Sequence, residues 1–346
     1  MKINVTDFGS NNEKLISLIN TNQLTLDLSN HGARMVNLIA PLKNERRNLI
    51  LGFDSAQEYA EKDSYIGASI GRVAGRIKDA NFTLDDIEYQ LEKNDGENNL
   101  HGGFNSFDCK IWDYEIVEGQ EAVSVVFKIA SPHLENGFPG NLEQKITYTL
   151  TNMNQIIINY YATTDQKTVY NPTNHTYFNL NSSIDQEIGN HRLYLDADHF
   201  GVLAEELLPT GELRKSFGTP FDFNQEGGNL ISQGLTSDYE QNKLVDGYDH
   251  PFLFNPRTLD TLKGRLSASD GSIHVNLYTD RPAVVAYTTN MLKASVPMRN
   301  SHQVKHGGIT LETQALPDAI NQEGFGSIVL EVEEPFVSTT IFEIEF

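Results

Sequence analysis

The run from Asn171 to Leu180 (NPTNHTYFNL) sets one imidazole, His175, among amide and hydroxyl side chains, then turns into the aromatic pair Tyr177 and Phe178. Histidine both gives and takes a proton near neutral pH. A histidine drawn toward the protein body beside amide partners is therefore a candidate proton shuttle, although on its own it reads more plainly as a loop anchor. A second segment shifts the balance. In Gly307–Gln314 (GGITLETQ), alternation puts Thr310 and Glu312 on the strand face opposite Ile309 and Leu311. A glutamate just after an apolar pair is costly to bury unless it is paired or used. Burial also lifts its pKa toward the range useful to a general base.

Three further segments set polar or charged groups in glycine or aromatic context. In Gly71–Arg76 (GRVAGR) the glycines let the backbone approach a ligand, and an arginine fork, Arg72 or Arg76, can bind substrate oxygens. A surface salt bridge explains such an arginine equally well. His101 precedes Gly102-Gly103 and is accessible from one side; the single tryptophan, Trp112, reads as core. In Asp246–His250 (DGYDH) a turn delivers the Asp249 carboxylate beside aromatics, and a capped turn is the bland alternative.

Other chemistries find less support. The GRVAGR run lacks the Lys-Ser/Thr ending of a phosphate loop, and no G-x-S-x-G occurs. His302 and His306 are four apart, but no Glu follows the first and Gly307-Gly308 argues against a helix. Asp196-Ala197-Asp198-His199 lacks the calcium-loop pattern. His101, His175 and Glu312 have the types of a two-histidine, one-carboxylate iron site, which stands as a minor alternative to a metal-free reading.

The elements that must position these residues are strands. Period-two alternation runs through Leu15–Ile19, Leu24–Leu28, Phe82–Leu84, Ile87–Leu91, Val123–Ile129, Ile146–Leu150, Ile156–Tyr160 and Ile273–Leu277, and again through Ile328–Val332 and Thr340–Phe346. Turn clusters such as Asp95-Gly96, Glu118-Gly119 and Asp270-Gly271 separate them. Ala122–Ala130 and Leu142–Leu150 read as two strands joined by an elaborate loop. Helical pattern is scarce: Asp54 or Ser55 caps a short helix through Glu61, and Leu230–Tyr239 holds a turn or two. No linker and no solenoid repeat divides the chain. The expectation is all-β, one domain over residues 1–346, a large antiparallel sandwich with few short helices.

Composition bounds the partners. Net charge is −21, which repels nucleic acid and anionic membranes but not a neutral ligand. Cys109 is the one cysteine, so no intrachain disulfide forms. The N-terminal residues lack a secretory pattern and no apolar run is long enough to span a bilayer, so the expectation is a cytoplasmic protein. The sequence fixes no oligomeric state and leaves a homodimer open.

Taken together, these segments resemble the aldose 1-epimerase (galactose mutarotase) family. The matching motifs follow family order: GRVAGRI at Gly71–Ile77, NNLHGG and FDCKIW within Asn98–Trp112, GFPGNL at Gly137–Leu142 and NPTNHTYFNL at Asn171–Leu180. LLPTGEL at Leu207–Leu213, TPFDF at Thr219–Phe223, GYDH at Gly247–His250 and LETQALPDA at Leu311–Ala319 complete the series. The resemblance implies an isomerase that interconverts α and β anomers of a free aldose, galactose or glucose, without metal or cofactor. It implies Glu312 as base on the C1 hydroxyl and His175 as acid toward the ring oxygen. His101 would position the sugar near that oxygen, with Arg76 and Asp249 holding hydroxyls. A hexose-phosphate or disaccharide epimerase, or a non-catalytic sugar-binding protein, are the alternatives on the same fold. Four positions depart from the family pattern: Val285 stands where many members have Gln, Gly75 where Asn is common, and Ser106 and Ala315 replace other frequent residues. None touches the acid–base pair.

Overall fold

Strand alternation separates two chemical faces wherever the site is built. The structure is a computed structural model and describes residues 1–62, 65–256, 258–293, 295–299 and 301–346. A nine-stranded sheet runs in the order Asp113–Glu118, Ala122–Ser131, Leu142–Thr151, Gln155–Thr164, Phe336–Glu345, His274–Thr279, Gly264–Ser267, Arg192–Leu195 and Asn229–Leu230. A six-stranded sheet runs Tyr177–Phe178, Ile309–Gln314, Ala283–Tyr287, Asp249–Leu253, His199–Leu203 and Pro209–Lys215. A five-stranded sheet from Lys2–Asp7 to Arg46–Asn48 precedes both. The pairings within all three are antiparallel.

The core lies between the large sheets. Val123, Val125 and Phe127 are register partners of Leu150, Tyr148 and Ile146, and all six are buried. From the six-stranded sheet Ile309, Leu311, Val284, Ala286, Phe252 and Phe200 join the same apolar cluster. Truncating such a side chain, Leu311→Ala for instance, costs about 2–5 kcal/mol. The opposite face of that sheet is therefore free to carry polar groups, and the alternation expected through Ile309–Gln314 holds.

The antiparallel sandwich expected from the sequence is the architecture observed. Ala122–Ser131 and Leu142–Thr151 pair along their whole length. The short helix is Ala56–Lys62, with Ser55 Oγ accepting from the Glu58 amide at 3.3 Å. The Leu230–Tyr239 stretch carries one turn at Ser232–Leu235, and a second helix follows at Glu240–Val245. Trp112 is core, its indole N–H donating to the Phe107 carbonyl at 3.0 Å. Among the described residues no helix is long and apolar enough to cross a membrane.

Candidate active site

Glu312 projects from the middle of Ile309–Gln314, where every residue is buried. Its carboxylate accepts from the Thr310 hydroxyl at 3.0 Å, and that hydroxyl in turn accepts from the Tyr287 amide at 3.2 Å. Thr310 thus orients Glu312 from two positions back on the same strand face. Burial pushes the Glu312 carboxyl up to about 8; the Thr310 hydrogen bond and the Arg76 charge oppose this, and Asp249 adds to it.

His175 reaches Glu312 through strand pairing. Tyr177–Phe178 pairs with Ile309–Thr310, Tyr177 opposite Thr310. The segment before it is clamped on both sides: the His175 amide donates to the Ala68 carbonyl at 2.9 Å, and the Gly67 amide donates to the His175 carbonyl at 3.0 Å. Asn174 locks the turn, its Nδ2 donating to the Gly67 carbonyl and its Oδ1 accepting from the Thr176 hydroxyl. His175 Nε2 then lies 3.3 Å from Glu312 Oε1. Burial pulls the imidazole down to about 4.

His101 and Arg76 come from a second pairing, Asn99–Leu100 against Arg76–Ile77. The His101 amide donates to the Gly75 carbonyl at 3.1 Å, and the Gly75 amide donates to His101 Nδ1 at 3.2 Å. With Nδ1 an acceptor, the neutral ring carries its proton on Nε2. Burial, then the His175 and Arg76 charges, hold this imidazole well below its usual range. Gly75 has φ +78°, and a Cβ there would sit 3.0 Å from Pro317 Cβ, so its departure from asparagine has a steric basis here. Gly102 is also constrained: at φ +91° its Cβ would fall 2.3 Å from the Gly71 carbonyl oxygen.

Arg76 Nε donates to Asp95 Oδ2 at 2.7 Å, leaving the rest of the fork beside the cavity. The turn at Asp246-Gly247 delivers Asp249 to the first position of the strand Asp249–Leu253, as the sequence suggests. Burial raises its carboxyl to about 6, against the pull of Arg76. All five expected residues, Arg76, His101, His175, Asp249 and Glu312, line one cavity of about 220 Å³. Its walls include Tyr65, edge-on to the His101 ring at 4.7 Å, and Val285, which offers methyl groups where the resemblance leads one to expect glutamine.

Arg72 is not part of this site. It is buried, with its guanidinium donating to the carbonyls of Ser131, Pro139 and Gly140. It ties loops together and does not line the cavity that Arg76 borders. Asp95, read from the sequence as part of a turn, lines the same cavity and was not singled out. Its signal was a carboxylate near Arg76, visible only once Asn99–Leu100 had paired back. His302 lies on the strand Ser301–His302 and is exposed, so it shares no helix with His306. His101, His175 and Glu312 do present ligating atoms within 4.8 Å of one another.

The profile of the family described as Aldose 1-epimerase matches residues 14–343. The chain belongs to the aldose 1-epimerase family. It is 34% identical over 322 residues to galactose mutarotase of Homo sapiens, covering 92% of this chain and 91% of that one. It is 33% identical to aldose 1-epimerase of Escherichia coli K12, covering 89% and 88%. Among solved structures, galactose 1-epimerase from Lactobacillus acidophilus superposes with a TM-score of 0.89 at 30% identity, over 100% of this chain and 99% of that one. As a member of the aldose 1-epimerase family, the protein is an isomerase.

Proposed function

We propose that this isomerase interconverts the anomers of free galactose and glucose in the cytoplasm, working as one domain, with Glu312 as base and His175 as acid. The observation that carries the reading is the Glu312–His175 pair, 3.3 Å apart in a cavity that also holds Arg76, Asp249 and His101. The pair's single proton first passes from Glu312 to His175 across their 3.3 Å contact, and the Glu312 carboxylate then takes the proton from the C1 hydroxyl. The C1–ring oxygen bond breaks as the C1 carbonyl forms, and the protonated imidazole of His175 gives its proton to the ring oxygen. Rotation about C1–C2 presents the other carbonyl face, and the two transfers run backward to close the ring. Acid–base help of this kind is worth about 10²–10⁴-fold per group.

The remaining residues fit positioning roles. His101, with its proton on Nε2, donates toward the ring oxygen; Arg76 donates to hydroxyls and Asp249 accepts from them. Among the described cavity-lining residues Arg76 is the one cationic side chain, and it is already paired with Asp95 beside Asp249. That balance favours a neutral sugar over a hexose phosphate, whose dianion calls for unpaired cationic donors. Polarimetry on freshly dissolved α-D-galactose and α-D-glucose tests the reading. The protein should speed the drift in rotation and Glu312→Gln should abolish most of that gain. A wild-type rate equal to buffer would sink the proposal.

A further inference from the structure

Gln314 ends the strand that carries Glu312, and its carboxamide stands without partners. Neither Nε2 nor Oε1 is hydrogen-bonded, although the residue is fully buried and forms part of the cavity wall. A carboxamide offers two N–H donors and an oxygen with two acceptor sites. Leaving all of them empty in the interior destabilises the fold, and such groups are rare in native proteins. Where a fold keeps one, a ligand or water that completes it is the physical explanation.

Register says what Gln314 can reach. Thr310, Glu312 and Gln314 share a strand face. Thr310 pairs with Tyr287, whose other partner is Asp249; Glu312 pairs with Val285 and, beyond it, Pro251; Gln314 pairs with Ala283 and, beyond it, Leu253. Asp249 and Gln314 therefore flank the level of Glu312 on opposite sides, each about 7 Å away along the strands. A sugar with C1 at Glu312 and one flank on Asp249 turns its other flank toward Gln314. The cavity wall nearby offers Val285 and Pro317, which make no hydrogen bonds from their side chains.

We infer that Gln314 is a sugar-binding, specificity-determining residue whose carboxamide exchanges hydrogen bonds with a hydroxyl on the flank away from Asp249. This rests on the anomerase reading above. The carboxamide stands apart from the proton transfers and bears on which sugars are held.

A cycle of enzyme and substrate variants tests it. Gln314→Met keeps the length of the side chain and removes its donors and acceptors; Gln314→Leu is a second apolar variant. Anomerisation of galactose, glucose and their monodeoxy analogues is followed by polarimetry. Each neutral hydrogen bond is worth about 3–10-fold, so kcat/KM for the parent sugar should fall about 10–100-fold, mostly through KM. One deoxy analogue that is handicapped with wild type should be handicapped no further by Gln314→Met, the non-additivity expected of directly interacting groups. The Tm of either variant should hold or rise, because the unpaired amide is gone. An unchanged KM for the parent sugar, or penalties that multiply for every analogue, would overturn the inference while leaving the anomerase reading intact. Failure of wild type to accelerate any sugar would remove both.

Discussion

His175 and Glu312 meet just beyond the end of a strand pair. Each lies two residues beyond the Tyr177–Thr310 pair, and their side chains close the gap, with Nε2 and Oε1 3.3 Å apart. Two groups with no sequence proximity thus form one acid–base unit because two short strand segments pair. Burial moves their affinities for protons in opposite directions, Glu312 up to about 8 and His175 down to about 4. Between those values the pair holds a single proton, which rests on Glu312 beside a neutral His175. The reactive arrangement, Glu312 carboxylate and His175 imidazolium, is the other placement of that same proton across the 3.3 Å contact.

The first prediction follows from that proton. Below about 4 the pair takes up a second proton and loses its base; above about 8 it loses its last proton and with it the acid. The pH profile of kcat/KM should be bell-shaped with limbs near those values. Glu312→Gln should lower kcat/KM by about 10²–10⁴-fold and erase the alkaline limb from the residual rate. A residual rate that keeps the same alkaline limb would assign the limb to another group.

The second concerns Asp249. Burial raises its carboxyl to about 6, with Arg76 acting against the shift. As pH falls through 6 the carboxylate becomes a neutral acid and a poorer acceptor for sugar hydroxyls. KM should therefore rise below pH 6 while kcat changes less. Asp249→Asn should raise KM about 10-fold, the scale of a lost hydrogen bond to a charged group, and flatten that dependence. Initial rates from pH 5 to 7 on both proteins check this.

How much of this was legible beforehand differs from residue to residue. Glu312 was readable because alternation is local: Ile309 and Leu311 fix the core face, and Thr310 and Glu312 must take the other. The β architecture followed for the same reason, repeated along the chain. Local context does not separate Arg72 from Arg76, since both follow a glycine; only the family resemblance singles out Arg76. Folding sends one to loop carbonyls and the other to Asp95 and the cavity. The placement of Asp249 was legible for a local reason too: the Asp246-Gly247 turn ends a helix and hands the chain to a strand that opens at Asp249. The same alternation puts Gln314 on the Glu312 face, but nothing local marks it as unpaired. Its empty hydrogen-bonding positions exist only relative to what surrounds it.

A third prediction turns the raised pKa of Glu312 into stability. The group ionises near 4.5 ordinarily and near 8 when folded. The folded state holds a proton that the unfolded chain releases between those values, so stability is fully present below 4.5 and lost as pH rises toward 8. Glu312→Gln removes that dependence. Its Tm should match wild type near pH 4.5 and exceed it increasingly up to pH 8, even as activity collapses. Calorimetry at three pH values suffices, and a Tm difference that stays flat with pH would refute the linkage.

The last prediction isolates Thr310, which touches Glu312 from within the same strand. Its hydroxyl donates to Oε1 at 3.0 Å and accepts from the Tyr287 amide at 3.2 Å. Thr310→Val keeps the branched shape and deletes both bonds. Losing the donor lets the Glu312 carboxyl rise further, because that bond is the largest influence opposing burial. The alkaline limb should therefore move to higher pH, and kcat/KM should fall about 10-fold as the carboxylate loses its fixed orientation, a loss of about 1.4 kcal/mol. The buried Tyr287 amide loses its acceptor as well, at about 1 kcal/mol of stability. Thr310→Ser restores a hydroxyl at the same place and should recover most of the rate and the position of the limb. A packing role alone would give the opposite order, with Val close to wild type and Ser impaired.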